Sequence, residues 1–181
     1  TLVDTHFTNL SNFETLTSDA NYHLSATLGS AASTAGIATV TLADTDGNDS
    51  VTVDSTYSGA LTINAAGTGL STVDLSSATN TTTIYSTEGL MDNSVHVFTG
   101  GTGGTEILSI SHGVTGAINA TQLATVVDID TIAFTSGHAD SHATTITLAD
   151  ANASYTSAGV YHTLTIDATA FTGAAADTLI L

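Results

Sequence analysis

Short runs in which Thr or Ser alternates with Val, Ile or Leu return along much of this chain at intervals of about 10–12 residues. They include Thr39-Val-Thr-Leu42, Ser50-Val-Thr-Val53, Ala60-Leu-Thr-Ile63, Ser71-Thr-Val-Asp-Leu75, Thr82-Thr-Ile84 and Ser94-Val-His-Val-Phe98. A period of two puts the apolar residues on one face of a strand and the hydroxyls on the other. Thr, Val and Ile also favour strands, because branching at Cβ is better tolerated there than in a helix. Further runs are Glu14-Thr-Leu-Thr17, Glu106-Ile-Leu-Ser-Ile110, Asp130-Thr-Ile-Ala-Phe134, Thr145-Ile-Thr-Leu148 and His162-Thr-Leu-Thr-Ile166. Gly, Asn, Asp and Ser fill the gaps, as tight turns require. The expected fold is all-β: a β-solenoid of the parallel β-helix or β-roll kind, with two short strands per coil. A β-sandwich is the alternative, since it gives similar strand spacing. Only Asn119–Thr125 and Ser30–Ala35 read as helical turns.

A longer echo overlies this short period. Phe13-Glu-Thr-Leu16, Thr41-Leu-Ala-Asp44 and Leu61-Thr-Ile-Asn64 resemble Ile129-Asp-Thr-Ile132, Thr147-Leu-Ala-Asp150 and Leu164-Thr-Ile-Asp167. This suggests a first β-repeat copy over 1–82, a connecting Gly-rich segment over 83–126 and a second copy over 127–181. Together they are expected to form one continuous elongated unit cut from a longer chain.

Charge narrows the function. The 181 residues contain 17 Asp and Glu, seven His and no Lys or Arg, for a formal net charge of -17. Nothing can neutralise phosphate, which argues against nucleic acid and against an anionic membrane surface. No apolar run approaches the roughly 18 residues of a membrane span, so membrane insertion is not expected. There is no Cys, hence no disulfide framework and no thiolate metal site. Without Lys or Arg, crowded carboxylates must be hydrated, protonated or bound to a cation. The chain also offers no cleavage site to trypsin-type proteases. These properties suit an extracellular setting rich in divalent cations.

Several phrases carry a family resemblance. Glu14-Thr-Leu-Thr17, Val40-Thr-Leu-Ala-Asp44 and Leu164-Thr-Ile-Asp-Ala-Thr-Ala-Phe-Thr-Gly173 resemble the repetitive parts of secreted bacterial RTX-type and S-layer-like β-repeat proteins. Gly47-Asn-Asp-Ser-Val51 is similar to that family's G-N-D-x-L. Gly100-Gly-Thr-Gly-Gly-Thr-Glu-Ile-Leu108 is similar to its G-G-x-G-x-D-x-L, with one residue extra and Glu106 in place of Asp. The resemblance implies an exported protein of the bacterial cell surface, serving in a surface layer, an adhesin or an extracellular fibre. Consecutive calcium nonapeptides are absent.

Candidate metal ligands follow from the chemistry of Ca²⁺, which takes six to eight oxygens from carboxylates, amides, carbonyls and water. In Asp44-Thr-Asp-Gly-Asn-Asp49, the side chains of Asp44, Asp46, Asn48 and Asp49 crowd around Gly47. Glu106 is the carboxylate beside the Gly100–Gly104 turn. A solvated hairpin turn would have the same composition as the first of these. His138-Ala-Asp-Ser-His142 has the wrong spacing and acid position for a zinc protease helix. Asp128 and Asp130 stand at strand spacing, where a glycosidase pair could share a face. However, aromatics make up only 6% of the chain and Trp is missing, so a sugar cleft is poorly supplied. No cationic side chain is available to stabilise an oxyanion, and an enzyme is not expected.

The expected role is a structural building block of a secreted extracellular assembly: an S-layer lattice, a filament or an adhesin stalk. It would be stabilised by Ca²⁺ and joined into a homo-oligomer or polymer through strand edges. The alternative is a ligand-binding module of a large adhesin, recognising surface glycan or ice through Thr-x-Thr ranks such as Thr15–Thr17 and Thr39–Thr41.

Overall fold

The structure, a computed structural model, describes residues 1–91, 96–101, 103–111, 117–135, 145–153, 163–170 and 178–180. It is an all-β parallel solenoid. The first sheet stacks seven parallel strands: β1 (Thr15–Thr17), β3 (Thr39–Leu42), β5 (Leu61–Ala65), β7 (Thr81–Thr87), β9 (Thr105–Ser111), β12 (Thr131–Phe134) and β14 (Thr165–Asp167). The second holds five: β2 (Ser25–Leu28), β4 (Asn48–Val53), β6 (Leu70–Asp74), β8 (Val97–Thr99) and β11 (Val126–Val127). A third sheet joins β10 (Ala117–Ile118), β13 (Thr145–Thr147) and β15 (Thr178–Ile180). Each coil supplies one strand to the first sheet and then turns a corner into another. All the strand pairs are parallel, which excludes the antiparallel hairpins of a β-sandwich.

Register explains why these residues stack. Leu16, Val40, Ile63, Ile84, Leu108, Ile132 and Ile166 fall opposite one another in successive coils of the first sheet. Val40 through Ile132 in this rank are fully buried, and Leu16 and Ile166 pack partly exposed at its two ends. Ala26, Val51, Val73, Phe98 and Val126 make the facing rank of the second sheet. Ile118 and Ile146 begin the rank of the third. A shift of one residue would turn a whole rank outward, so burial itself enforces the register.

Turns and helices close the corners. Helix α1 (Ser30–Ala35) ends at Gly36, whose φ of 99° places it in the left-handed region that glycine adopts without a Cβ clash. Its first turn is capped from a distance. The Asp4 carboxylate accepts the N–H groups of Gly29, Ala31 and Ala32 at 2.7, 3.0 and 2.8 Å. Asp4 lies in a 3₁₀ turn, Asp4–Phe7, that buries Phe7 against the first coil. At Gly100 a Cβ would stand 1.9 Å from the Asp128 carbonyl, so adjacent coils come together there by backbone contact that only glycine permits.

Helix α2 (Glu88–Met91) follows β7, and α3 (Ala120–Leu123) lies between β10 and β11. Asn119 caps α3 by accepting from Thr121 and Gln122 through its side chain. In the sixth coil a second 3₁₀ turn, Asp150–Ala153, packs beside β11. Asn152 fastens it there, donating from its buried amide to the carbonyls of Leu123 and Val126 at 2.8 and 2.7 Å. The Gly-rich stretch 83–126 contains most of β7 and all of β9, two central strands of the first sheet.

Candidate carboxylate sites

The turn between β3 and β4 brings Asp44, Asp46, Asn48 and Asp49 together but uses them differently. Asp49 is buried at the start of β4. Its Oδ1 accepts the Leu24 N–H at 2.6 Å, and its Oδ2 accepts the Ser18 hydroxyl at 2.7 Å and the Asp44 N–H at 3.1 Å. Ser18 in turn accepts the Ala43 N–H at 2.6 Å. One carboxylate thus ties three chain segments from two successive coils at a single corner.

Asp44 is also buried, and its Oδ1 accepts the N–H groups of Asp46 and Gly47 at 3.1 and 3.2 Å. Its Oδ2 pairs closely with Nδ1 of His23, a side chain from the preceding coil. Burial works against ionisation of Asp44. The Asp46 N–H and the His23 ring outweigh it and hold the Asp44 pKa below the usual carboxylate range. Gly47 makes the pairing possible, since a Cβ there would stand 1.5 Å from the His23 ring. A histidine therefore faces the negative charge of this turn. Asp46 and Asn48 are exposed at its surface.

Glu106 belongs to a second site, three coils further on. It enters β9 from the Gly-rich turn with its side chain inside the solenoid, fully buried. Asp130 lies opposite it in the next coil, and its Oδ2 accepts the Glu106 N–H at 2.9 Å. Thr82 is its register partner on the other side. Thr82 Oγ1 accepts from the Asn80 amide nitrogen at 3.0 Å. Neither carboxyl oxygen of Glu106, nor Oδ1 of the buried Asn80, has a hydrogen-bond partner among the described residues. Burial first, and the neighbouring Asp130 carboxylate second, push the Glu106 pKa up to about 8. At neutral pH its carboxyl holds a proton inside the solenoid.

These two sites differ in what they could hold. In the Asp44–Asp49 turn the buried oxygens already meet N–H groups, a hydroxyl and a histidine. That leaves Asp46, Asn48 and backbone carbonyls for an added ion. At the second site the Glu106 carboxyl stands beside Asp130, and oxygen-only donors of this kind suit a hard cation. The Gly104 backbone adds a further constraint: a Cβ there would meet the Asn80 carbonyl at 2.4 Å and Glu106 Oε1 at 2.6 Å. Among the described residues, no three Asp, Glu or His side chains converge as a ready metal cage.

The sequence singles out Glu106 but not its neighbours. Asp130 reaches it only because one coil takes roughly two dozen residues, a period visible in the strand spacing. The partnership of His23 with Asp44 follows from the same period. Asp128, grouped with Asp130 by strand spacing, lies in the turn before β12 with a left-handed φ of 53°. His138, Asp140 and His142 fall outside the described residues. No protein-family model, curated protein or solved structure matches the chain.

Proposed function

We propose that this chain is a structural building block of a secreted extracellular assembly on the bacterial cell surface, of the S-layer, filament or adhesin-stalk kind. The observation that carries this reading is the unbroken seven-stranded parallel ladder. Its outward positions are largely Thr and Ser, its inward ranks are largely apolar, and among the described residues β1 and β14 at its ends each pair on one side only. Such a ladder gives stiffness through backbone bonding and presents strand edges to which another copy can add. An RTX-type or S-layer-like origin rests on the sequence phrases alone. No catalytic role is part of the reading, and among the described residues no helix is long and apolar enough to cross a membrane.

Calcium enters the proposal at Glu106. On giving up its proton, its carboxyl would hold the ion together with the Asp130 carboxylate, and the ion would supply the positive charge this chain lacks. Asp44, Asp46, Asn48 and Asp49 remain a surface turn able to offer weaker ligands through Asp46 and Asn48.

Sedimentation velocity over a range of protein concentrations, with calcium present, tests the assembly. The expected result is growth of species larger than one chain as concentration rises. A single monomeric species at every concentration contradicts assembly through strand edges.

A further inference from the structure

A groove of about 410 Å³ crosses the outer face of the first sheet, within the size range of small-ligand sites. It runs along the solenoid axis across four successive coils. Asn64 comes from β5 and Ala66 follows it, and Tyr85 and Thr87 come from β7. Ser111 closes β9, and Thr135 follows β12. Leu90 of α2 adds a wall. Neighbouring strands lie about 4.8 Å apart, so the four coils span roughly 14 Å.

The chemistry of the lining is specific. Among the described residues, no charged side chain borders the groove. Its polar groups are hydroxyls and one amide, and its apolar surface comes from alanine, Leu90 and the Tyr85 ring. Tyr85 is 47% exposed, which is unusual for an aromatic residue on this otherwise hydroxyl-rich face. Ser86, between Tyr85 and Thr87, is 5% exposed and turns inward opposite the buried Ile110, so the exposed faces of Tyr85 and Thr87 are what β7 offers to the groove.

We infer that this groove binds a short, linear, neutral oligosaccharide, with a sugar ring against Tyr85 and sugar hydroxyls toward Asn64, Thr87 and Thr135. A pyranose has an apolar C–H face and a rim of hydroxyls, which matches an aromatic ring set among amide and hydroxyl groups. The net charge of -17 and the absence of Lys and Arg disfavour an anionic sugar. Among the described lining residues, no carboxylate gives a cationic ligand a specific partner. The repeat of the coils along the groove favours a linear chain over a single ring. This inference stands apart from the assembly proposal, because the groove is on the sheet face and not at a strand edge.

Isothermal titration with cellohexaose, maltohexaose and chitohexaose, and with oligogalacturonate as the anionic probe, tests it. The expected result is binding of at least one neutral oligosaccharide at micromolar to millimolar concentration, and none of oligogalacturonate. Tyr85→Ala should weaken that binding roughly tenfold or more and leave the unfolding temperature unchanged. Absence of binding by all three neutral probes at millimolar concentration overturns the inference. So does equal binding by Tyr85→Ala, or binding of oligogalacturonate alone.

Discussion

Replacing Asp49 by alanine is expected to destabilise the fold by about 3–5 kcal/mol, because it strips a buried hydrogen-bond network of its acceptor. The change deletes the acceptor for the Leu24 N–H, the Asp44 N–H and the Ser18 hydroxyl together. Each buried donor left unmet costs about 1–3 kcal/mol, and the three lie where successive coils must stack. Asp49→Asn should fall between wild type and alanine. Its amide oxygen keeps one acceptor position, while its NH₂ group faces donors. Urea unfolding measures both: the midpoint should drop with little change in slope. A midpoint within experimental error of wild type for Asp49→Ala would mean that this corner does not hold the coils.

The second large effect is one of pH. In chelator, raising the pH from about 6.5 to about 8.5 should cost wild type about 2 kcal/mol, or roughly 4–8 °C in unfolding temperature for a domain of this size. The sign follows from Glu106. Its pKa is raised from 4.5 to about 8 in the fold, so the unfolded chain gives up this proton first. Its contribution is complete below pH 4.5 and is lost as the pH rises toward 8. Other shifted groups act outside the upper half of that window. Asp4 and Asp44 have lowered pKa values, so their stabilisation is lost only in acid, as the pH falls below about 3.8. Burial lowers the pKa of His96, whose contribution is lost as the pH falls below 6.5. Burial raises the pKa of Tyr57, so its contribution is lost only above pH 10.

Glu106→Gln carries no titrating proton and should flatten the decline between about pH 6.5 and 8.5. Its amide nitrogen would find an acceptor in Asp130. A decline of equal size in Glu106→Gln would assign it to general repulsion among the acidic groups.

Much of this architecture is legible in the amino-acid sequence, because it is written in a period of two. Thr39–Leu42 is a strand with the bounds that its alternation suggests, and Ser30–Ala35 is a helix over the residues expected. The coil length follows from the spacing of such runs. β2 escapes because Ser25-Ala-Thr-Leu28 presents a small alanine where its neighbours have Val, which weakens the alternation. β10 and β11 are too short, at two residues each, to show a period.

The hundred-residue echo has mixed structural meaning. Leu16 and Ile132 share one inward rank, as do Ile63 and Ile166, but Thr41 lies in the first sheet and Thr147 in the third. The underlying repeat is the single coil. The candidate site was legible only one residue at a time. Composition marks Asp44, Asp49 and Glu106 as carboxylates in need of partners. The partners His23, Ser18 and Asp130 lie one coil away and are fixed by stacking, which local spacing does not encode.

An acidic chain without Lys or Arg is held here by backbone ladders and apolar ranks, and in the reading proposed above also by a cation at the buried carboxyl group of Glu106. The direct measurement is the unfolding temperature at about pH 8.5, where Glu106 has largely lost its proton, with millimolar calcium and then with excess chelator, for wild type and Glu106→Gln. Ligand linkage predicts that calcium raises the wild-type temperature by several degrees and leaves Glu106→Gln nearly unchanged. No shift in wild type, or the same shift in both proteins, would contradict a cation held at Glu106.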